Sequence, residues 1–399
     1  MSAGPIEIRV PTEEERSAID RIHSIVFTWT QRPEELEARR AVLDLDRFRI
    51  AVDPSVGSGE AAVIGVAGSY AFDMTLPGGG TVPIGGVTGV GVLPTHRRRG
   101  ILRRLVDVVH DDIRDRGEPV MALYASEGAI YERFGYGVAA RARKVQIDRR
   151  RAVWRSDVET LAEADGPVTL LADGDHLPEM APRWDRYRTT RPGELSRSPE
   201  WWRYQLDGDT EPVQRAVHAD GYASWNVTAH WNDGHPAHEL HLRQLVAATP
   251  AARRALWRTV LGVDLVGTVT SWDIPLDDPL PHLLTDARMV RTRELNDSLW
   301  VRVDDLGGAF GARAYGADDQ LVVEVDGDRW RIGPEGCRRV RRRPDLVGDR
   351  AAVSALLLAG VRPSELIAGG RLWSRSPDIA RRADAMFATG PLPHCGTGF

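Results

Sequence analysis

The 399-residue sequence predicts an α/β (α+β) chain of three units: tandem mixed-sheet domains over 1–150 and 151–292, then a smaller α/β domain over 293–399. Three observations carry this reading. In the first 150 residues strand and helix patterns follow one another in an order that suits a mixed sheet with helices on both faces. Part of that order recurs from Val168: HLRQLVAATPAARRALWRTVL takes the strand–turn–helix slot that TGVGVLPTHRRRGILRRLVDVV takes in the first half. Breaks fall at Arg149-Arg150-Arg151, which leads into polar sequence, and near Arg293.

Ile6 to Val10 reads as a strand ended by Pro11, and Thr12 with Glu15 has the S/T-x-x-E spacing of a capping box. Ile19, Ile22, Ile25 and Val26 give the following helix an apolar stripe, and a second helix follows Pro33. Phe48–Val52, Val63–Met74 and Val87–Leu93 are extended runs, the last two separated by the turn Pro77-Gly78-Gly79-Gly80. A long amphipathic helix begins at Ile101 and meets a glycine cap at Gly117. The strand Val120–Tyr124, a short helix around Ala129–Phe134 and a strand through Lys144–Ile147 complete the first unit. In the second, helices at His176–Tyr187, Glu200–Leu206 and Pro250–Leu261 accompany strands at Arg215–His218, Ala223–Thr228, Glu239–Ala247 and Thr268–Ile274, with a hairpin at Asn232-Asp233-Gly234. The third opens with a strand at Trp300–Val303. Strands at Leu321–Val325 and Trp330–Ile332 and a helix over Ala351–Leu358 follow, and the last helix is capped by Ser376-Pro377.

Hydrophobic residues make up 42% and charged residues 27%, with net charge −5, which suits a soluble globular protein and gives no reason to expect nucleic acid. Cys337 and Cys395 lack any metal-ligand or framework spacing, so neither a disulfide scaffold nor a metal site is expected. No apolar run reaches the ~20 residues that span a bilayer, and the N-terminus lacks a signal-peptide core. A cytoplasmic location with reduced thiols is expected.

The chemistry-bearing stretch is Val90-Gly91-Val92-Leu93-Pro94-Thr95-His96-Arg97-Arg98-Arg99-Gly100-Ile101-Leu102-Arg103. A strand ends, a basic turn follows, and a helix starts. Unpaired N–H groups and the helix dipole favour an anion there, Gly100 lets a diphosphate approach the backbone, and the arginines add charge-assisted contacts. A free strand edge at Val90–Val92 can pair with an extended, amide-bearing ligand. Pantetheine joined to a diphosphate is such a ligand. The bland alternative for the arginine run is a solvated basic face.

The pattern V-G-V-x-P-x-x-R-R-R-G resembles motif A of the GNAT acetyltransferases, with Leu102 where glycine or alanine is usual. Together with ALYASEGAIYERFGYG, DPLPHLLTD and a C-terminal phenylalanine, it resembles the Eis (enhanced intracellular survival) acetyltransferases of actinobacteria, end to end. That resemblance implies an acetyl-CoA-binding GNAT domain, a second GNAT-like domain without cofactor, a sterol-carrier-like C-terminal domain and a homo-hexamer. It also implies N-acetylation of primary amines on aminoglycosides, peptides or lysine side chains.

Tyr131 is a candidate general acid, since a phenol of pKa ~10 can protonate a departing thiolate; the alternative is a packing tyrosine on a short helix. The resemblance gives it the catalytic role. It gives the α-carboxylate of Phe399 the role of general base, where an ordinary chain end would fray. Ser126 and Glu127 join the cofactor candidates, Glu127 also being a cap or salt-bridge residue by type. Phe27, Trp29 and Tyr124 are candidate substrate-cleft residues, Trp29 standing where the family often has an acidic side chain. The competing functions are a hydrophobic-ligand carrier working through 293–399 and a non-catalytic acyl-CoA binder. Neither needs Tyr131 or a terminal carboxylate.

Overall fold

The computed structural model describes residues 6–28, 32–207 and 212–399. After the strand β1 (Glu7–Arg9), the Glu15 carboxylate accepts the Thr12 N–H at 3.0 Å and two Arg9 guanidinium nitrogens at 2.7 Å. The capping box is therefore also an ion pair, and those bonds, led by Arg9's, lower the Glu15 carboxyl to about 2. Helices α1 (Arg16–Phe27) and α2 (Pro33–Val42) follow, then strands β2 (Phe48–Val52), β3 (Val63–Thr75) and β4 (Thr81–Val92). The amphipathic run forms α3 (Ile101–Asp115), whose buried stripe includes Ile101, Leu105, Val109 and Ile113. Strand β5 (Val120–Leu123), the short helix α4 (Gly128–Tyr131), β6 (Gly137–Val138) and β7 (Arg141–Asp148) complete this part.

The first sheet runs β1-β2-β3-β4-β5, then Trp300–Val303, then β6. It is antiparallel up to β4; β4 and β5 are parallel, joined by the helical crossover such a pair needs. The second sheet runs Val290–Asp297, β7, Val266–Pro275, His238–Ala247, Gly221–Thr228, Gln214–His218, Thr169–Leu170. Helix Pro250–Leu261 covers it through buried Ala252, Leu256, Trp257 and Val260. The third sheet, over Leu321–Ser374, has five strands among the described residues. Helices at Leu306–Ala312, Arg350–Ala355, Pro363–Ala368 and Pro377–Phe387 accompany it.

Two strands lie in sheets other than those the sequence pattern suggests. Lys144–Ile147, read as closing the first sheet, belongs to β7 of the second, where Ala142, Val145 and Ile147 are buried. Trp300–Val303, read as opening the third unit, inserts between β5 and β6 of the first. The physical reason is that it is a central strand, buried on both faces: Trp300 joins the core under α3, while Val301 and Val303 join the core on the other side. A four-residue strand carries no signal for its partner. Val290–Asp297 is missed by periodicity because it is an edge strand exposed nearly throughout.

A chain truncated after Thr292 loses the strand between β5 and β6. We expect it to show no cooperative thermal transition by circular dichroism; a cooperative transition near that of the full chain would refute this account of the first sheet.

Candidate active site

The site forms where β4 and β5 part. Ile84–Gly86 pairs with Val120–Ala122, and the parallel ladder stops there. Further along β4, Val66 faces Gly91 and Gly68 faces Thr88, so Gly89 and Val90 stand opposite the single residue Ala67. This β-bulge needs glycine: φ at Gly89 is +65°, and a Cβ there would lie 2.5 Å from His23 Nε2. That nitrogen and the Gly89 carbonyl oxygen are 3.0 Å apart. A glycine inside a strand is the signal that could have revealed the bulge.

The resulting cleft encloses about 640 Å³. One wall is Val90, Gly91, Val92, Arg97, Arg98, Gly100, Ile101, Leu102 and Arg103; the facing wall includes Ser126, Glu127 and Tyr131, with Phe27 at its edge. Gly100 is the N-cap of α3 at φ +75°, and a Cβ added there would meet nothing within 4 Å. Arg97, Arg98, Arg103 and Arg133 line the cleft and pair with no carboxylate among the described residues. Arg103 and Arg133 both lie over the Phe134 ring, at 5.9 and 5.2 Å. Arg99 departs from the sequence reading. Arg98 is left-handed, φ +63°, and Arg99 lies 3.6 Å from Asp53, which His96 also approaches at 3.6 Å. Hydrogen bonds from Ser55, and after them the electrostatic influence of Arg99 and His96, keep the Asp53 carboxyl below its usual range.

A smaller cavity of about 230 Å³ shares Phe27, Val90, Ser126 and Tyr131 with the cleft and adds Tyr124 and Phe399 to its wall. Burial, then the charge of Glu127, raises the Tyr131 phenol above its ordinary value, so it is protonated at neutral pH. The Phe399 ring lies 5.3 Å from both Phe72 and Tyr124. Trp29 lies outside the described residues.

The tail that carries Phe399 is held by groups the sequence did not single out. Gly193–Ser196 pairs with the end of β3 through Thr75 N–H to Glu194 O and Ser196 N–H to Asp73 O, both 2.9 Å. This fixes Glu194 and Arg197 over the tail. His394 lies between Glu194 (Nδ1, 2.9 Å) and Asp273 (Nε2, 2.9 Å). Glu194 also accepts the Gly396 N–H at 2.9 Å, and Arg197 donates to Gly396 O at 2.8 Å and Thr397 Oγ1 at 2.9 Å. Arg197 itself stacks on Trp184 at 3.4 Å. Tyr124 Oη donates to Cys395 O at 2.8 Å. His394 is thus an ion-pair anchor of the tail. Among the described residues no three or more His, Cys, Asp or Glu side chains gather as for a metal, and no helix is long and apolar enough to cross a membrane.

The fold and its comparisons define an acyltransferase of the GNAT class. Models of the acetyltransferase (GNAT) domain match residues 7–139 and again 193–303. N-acetyltransferase Eis of Mycobacterium tuberculosis is 34% identical over 394 residues, covering 95% of this chain and 96% of that protein. An uncharacterized N-acetyltransferase of Streptomyces coelicolor is 35% identical over 389 residues, covering 92% of each. The crystal structure of Eis1 from Mycobacterium abscessus superposes with a TM-score of 0.88 at 33% identity, over 98% of this chain and 100% of that one. The chain belongs to the Eis family of N-acetyltransferases. That fold implies acetyl-CoA, and the cleft suits it: unpaired arginines and an open left-handed glycine at a helix start for the diphosphate, and a strand edge past Gly86 for the pantetheine amides.

The anchor has a pH signature. Burial alone would lower the His394 pKa, but Asp273 and Glu194 outweigh it and raise it to about 10. A histidine raised above its unfolded value, ~6.5, contributes stability that is whole below that value and is lost as pH rises through the folded one. The Tm advantage of the native chain over His394→Gln should therefore be largest below pH 6.5 and shrink steadily until pH passes 10. An advantage that grows with pH would refute the assignment.

Proposed function

We propose that the chain transfers acetyl from acetyl-CoA to a primary amine of a cationic small molecule or peptide, whether aminoglycoside-like, polyamine or lysine-type. The observation that carries this is the convergence of Tyr131 and the C-terminal residue on one cavity beside an arginine-lined cleft. Val90, Gly91 and Val92 offer the strand edge, while Arg97, Arg98, Gly100, Ile101, Leu102 and Arg103 hold the phosphate end, with Ser126 and Glu127 opposite. Bound there, acetyl-CoA supplies an acyl thioester and a thiolate leaving group.

The Phe399 carboxylate, ionised at neutral pH, accepts a proton from the substrate ammonium, through water, and so frees the lone pair that attacks the acyl carbon. A C–N bond forms and the C–S bond breaks. Tyr131 donates its phenolic proton to the departing sulfur, burial having kept that proton in place until then, and the second proton that the nitrogen sheds as it becomes an amide restores the phenol. Tyr124 steadies the tail, and Phe27 and Trp29 belong to the acceptor side. The unit built on the first sheet binds the cofactor, and the part of the chain after Val303, sterol-carrier-like by the family resemblance, delivers the tail. A homo-hexamer is the assembly that the family resemblance supports.

Loss of a positioned acid or base typically costs ~10²–10⁴-fold in rate. Tyr131→Phe should lower kcat in that range while acetyl-CoA still binds by calorimetry. A few residues added after Phe399 should do the same, and an equal N-terminal extension should not. Full activity of the C-terminally extended, folded protein would remove the carboxylate from the mechanism. Independently, titration should give one acetyl-CoA per chain, abolished by Gly100→Glu, which sets bulk and negative charge at the diphosphate. Two sites per chain would count against the division between the GNAT halves.

A further inference from the structure

The cavity beside Tyr131 restricts the acceptor, on the reading that acetyl transfer occurs there. Its volume is about 230 Å³, and it adjoins the larger cleft through Phe27, Val90, Ser126 and Tyr131. Its walls are largely aromatic: Trp201 meets Tyr70 edge-on at 4.9 Å and Tyr204 at 5.4 Å, with Phe27 and Phe399 on other sides.

The wall is poor in negative charge. Arg39 is buried and ion-paired with Asp20, which also engages Arg40. His23 Nδ1 accepts from Arg39 at 3.0 Å, leaving Nε2 to donate to Gly89 O. Burial, then Arg39, lowers the His23 pKa to about 4, so it is neutral at pH 7. No described side chain of the wall is an Asp or Glu. Among the described residues that line the cavity, the anion is the α-carboxylate of Phe399. One ammonium is thereby compensated, and aromatic faces favour it further. A second ammonium brought into the cavity would be desolvated without a partner, which is costly.

We propose that the acceptor pocket takes a primary amine with a single cationic group on a small aromatic or apolar body, in preference to aminoglycosides and polyamines. The test is thiol release by the full chain with acetyl-CoA and 2-phenylethylamine, tryptamine, spermidine or tobramycin. At least a tenfold higher kcat/KM for the aromatic monoamines supports the proposal. Equal or better turnover of spermidine or tobramycin overturns it. Thr88→Asp sets a carboxylate in the wall and should move the ratio at least tenfold toward spermidine; an unchanged ratio at native Tm overturns the charge argument. If no amine releases thiol, the acetyl-transfer reading fails. Calorimetry on the CoA-loaded protein then decides the pocket: tighter binding of 2-phenylethylamine than of spermidine upholds it, and tighter spermidine or no binding by either overturns it.

Discussion

The structure depends on a buried charge cluster that fixes the last residues of the chain. His394 stands between Glu194 and Asp273, and Arg197 reaches the next turn of the tail. Two carboxylates flank His394, and Glu194 and Arg197 also bond backbone of the tail. The Glu194–His394 pair at its centre is buried, and a buried pair contributes more to position than to net stability, whereas removing one partner typically costs about 3–5 kcal/mol. The cluster draws on residues from the loop that pairs with β3, from the second sheet and from the tail itself. Tail geometry is therefore a property of the whole assembled chain.

This dependence accounts for the strand exchange. Were Trp300–Val303 confined to the third unit, that unit could shift against the first. As a central strand of the first sheet, with Trp300 and Val301 on opposite faces, it locks the two together. β7 ties the first unit to the second in the same way, pairing with Val266–Pro275 and Val290–Asp297. Asp273, on Val266–Pro275, thus reaches His394 from a sheet held in register by the strand that leaves the first unit.

The elements with strong periodicity were legible. Helix α3, helix Pro250–Leu261 and the strands Leu321–Val325 and Trp300–Val303 have the bounds or nearly the bounds that pattern and caps suggest. The cleft was legible because local chemistry forms it: a strand end, arginines, glycine and a helix start are contiguous in sequence. Sheet membership was not, since short buried strands look alike from within. The bulge at Gly89 was hidden among four glycines of β4, only one of which has positive φ. The tail cluster joins residues about 120 and 200 positions apart, and no spacing in the sequence encodes such a contact. Arg99 shows the reverse limit: in RRRG all three arginines look equivalent, and only the left-handed backbone at Arg98 separates them.

The second half of the chain shows by contrast what is distinctive in the helix start of the first. Its helix Pro250–Leu261 starts after a strand as α3 does, but the Thr249 hydroxyl caps it by accepting the Ala252 N–H at 3.2 Å, so a donor that could serve a phosphate is already used. Its arginines are occupied too. Arg253 bonds Asp278 at 3.1 Å, and Arg254 and Arg258 both pair with Asp165, whose carboxyl they hold low against its burial. In the first half Gly100 brings no side-chain cap, and Arg97, Arg98 and Arg103 have no carboxylate partner among the described residues. The two helix starts share a topology and differ in whether their positive potential is already neutralised. That difference, rather than the fold, is what favours the first domain in the proposal of one anionic cofactor per chain.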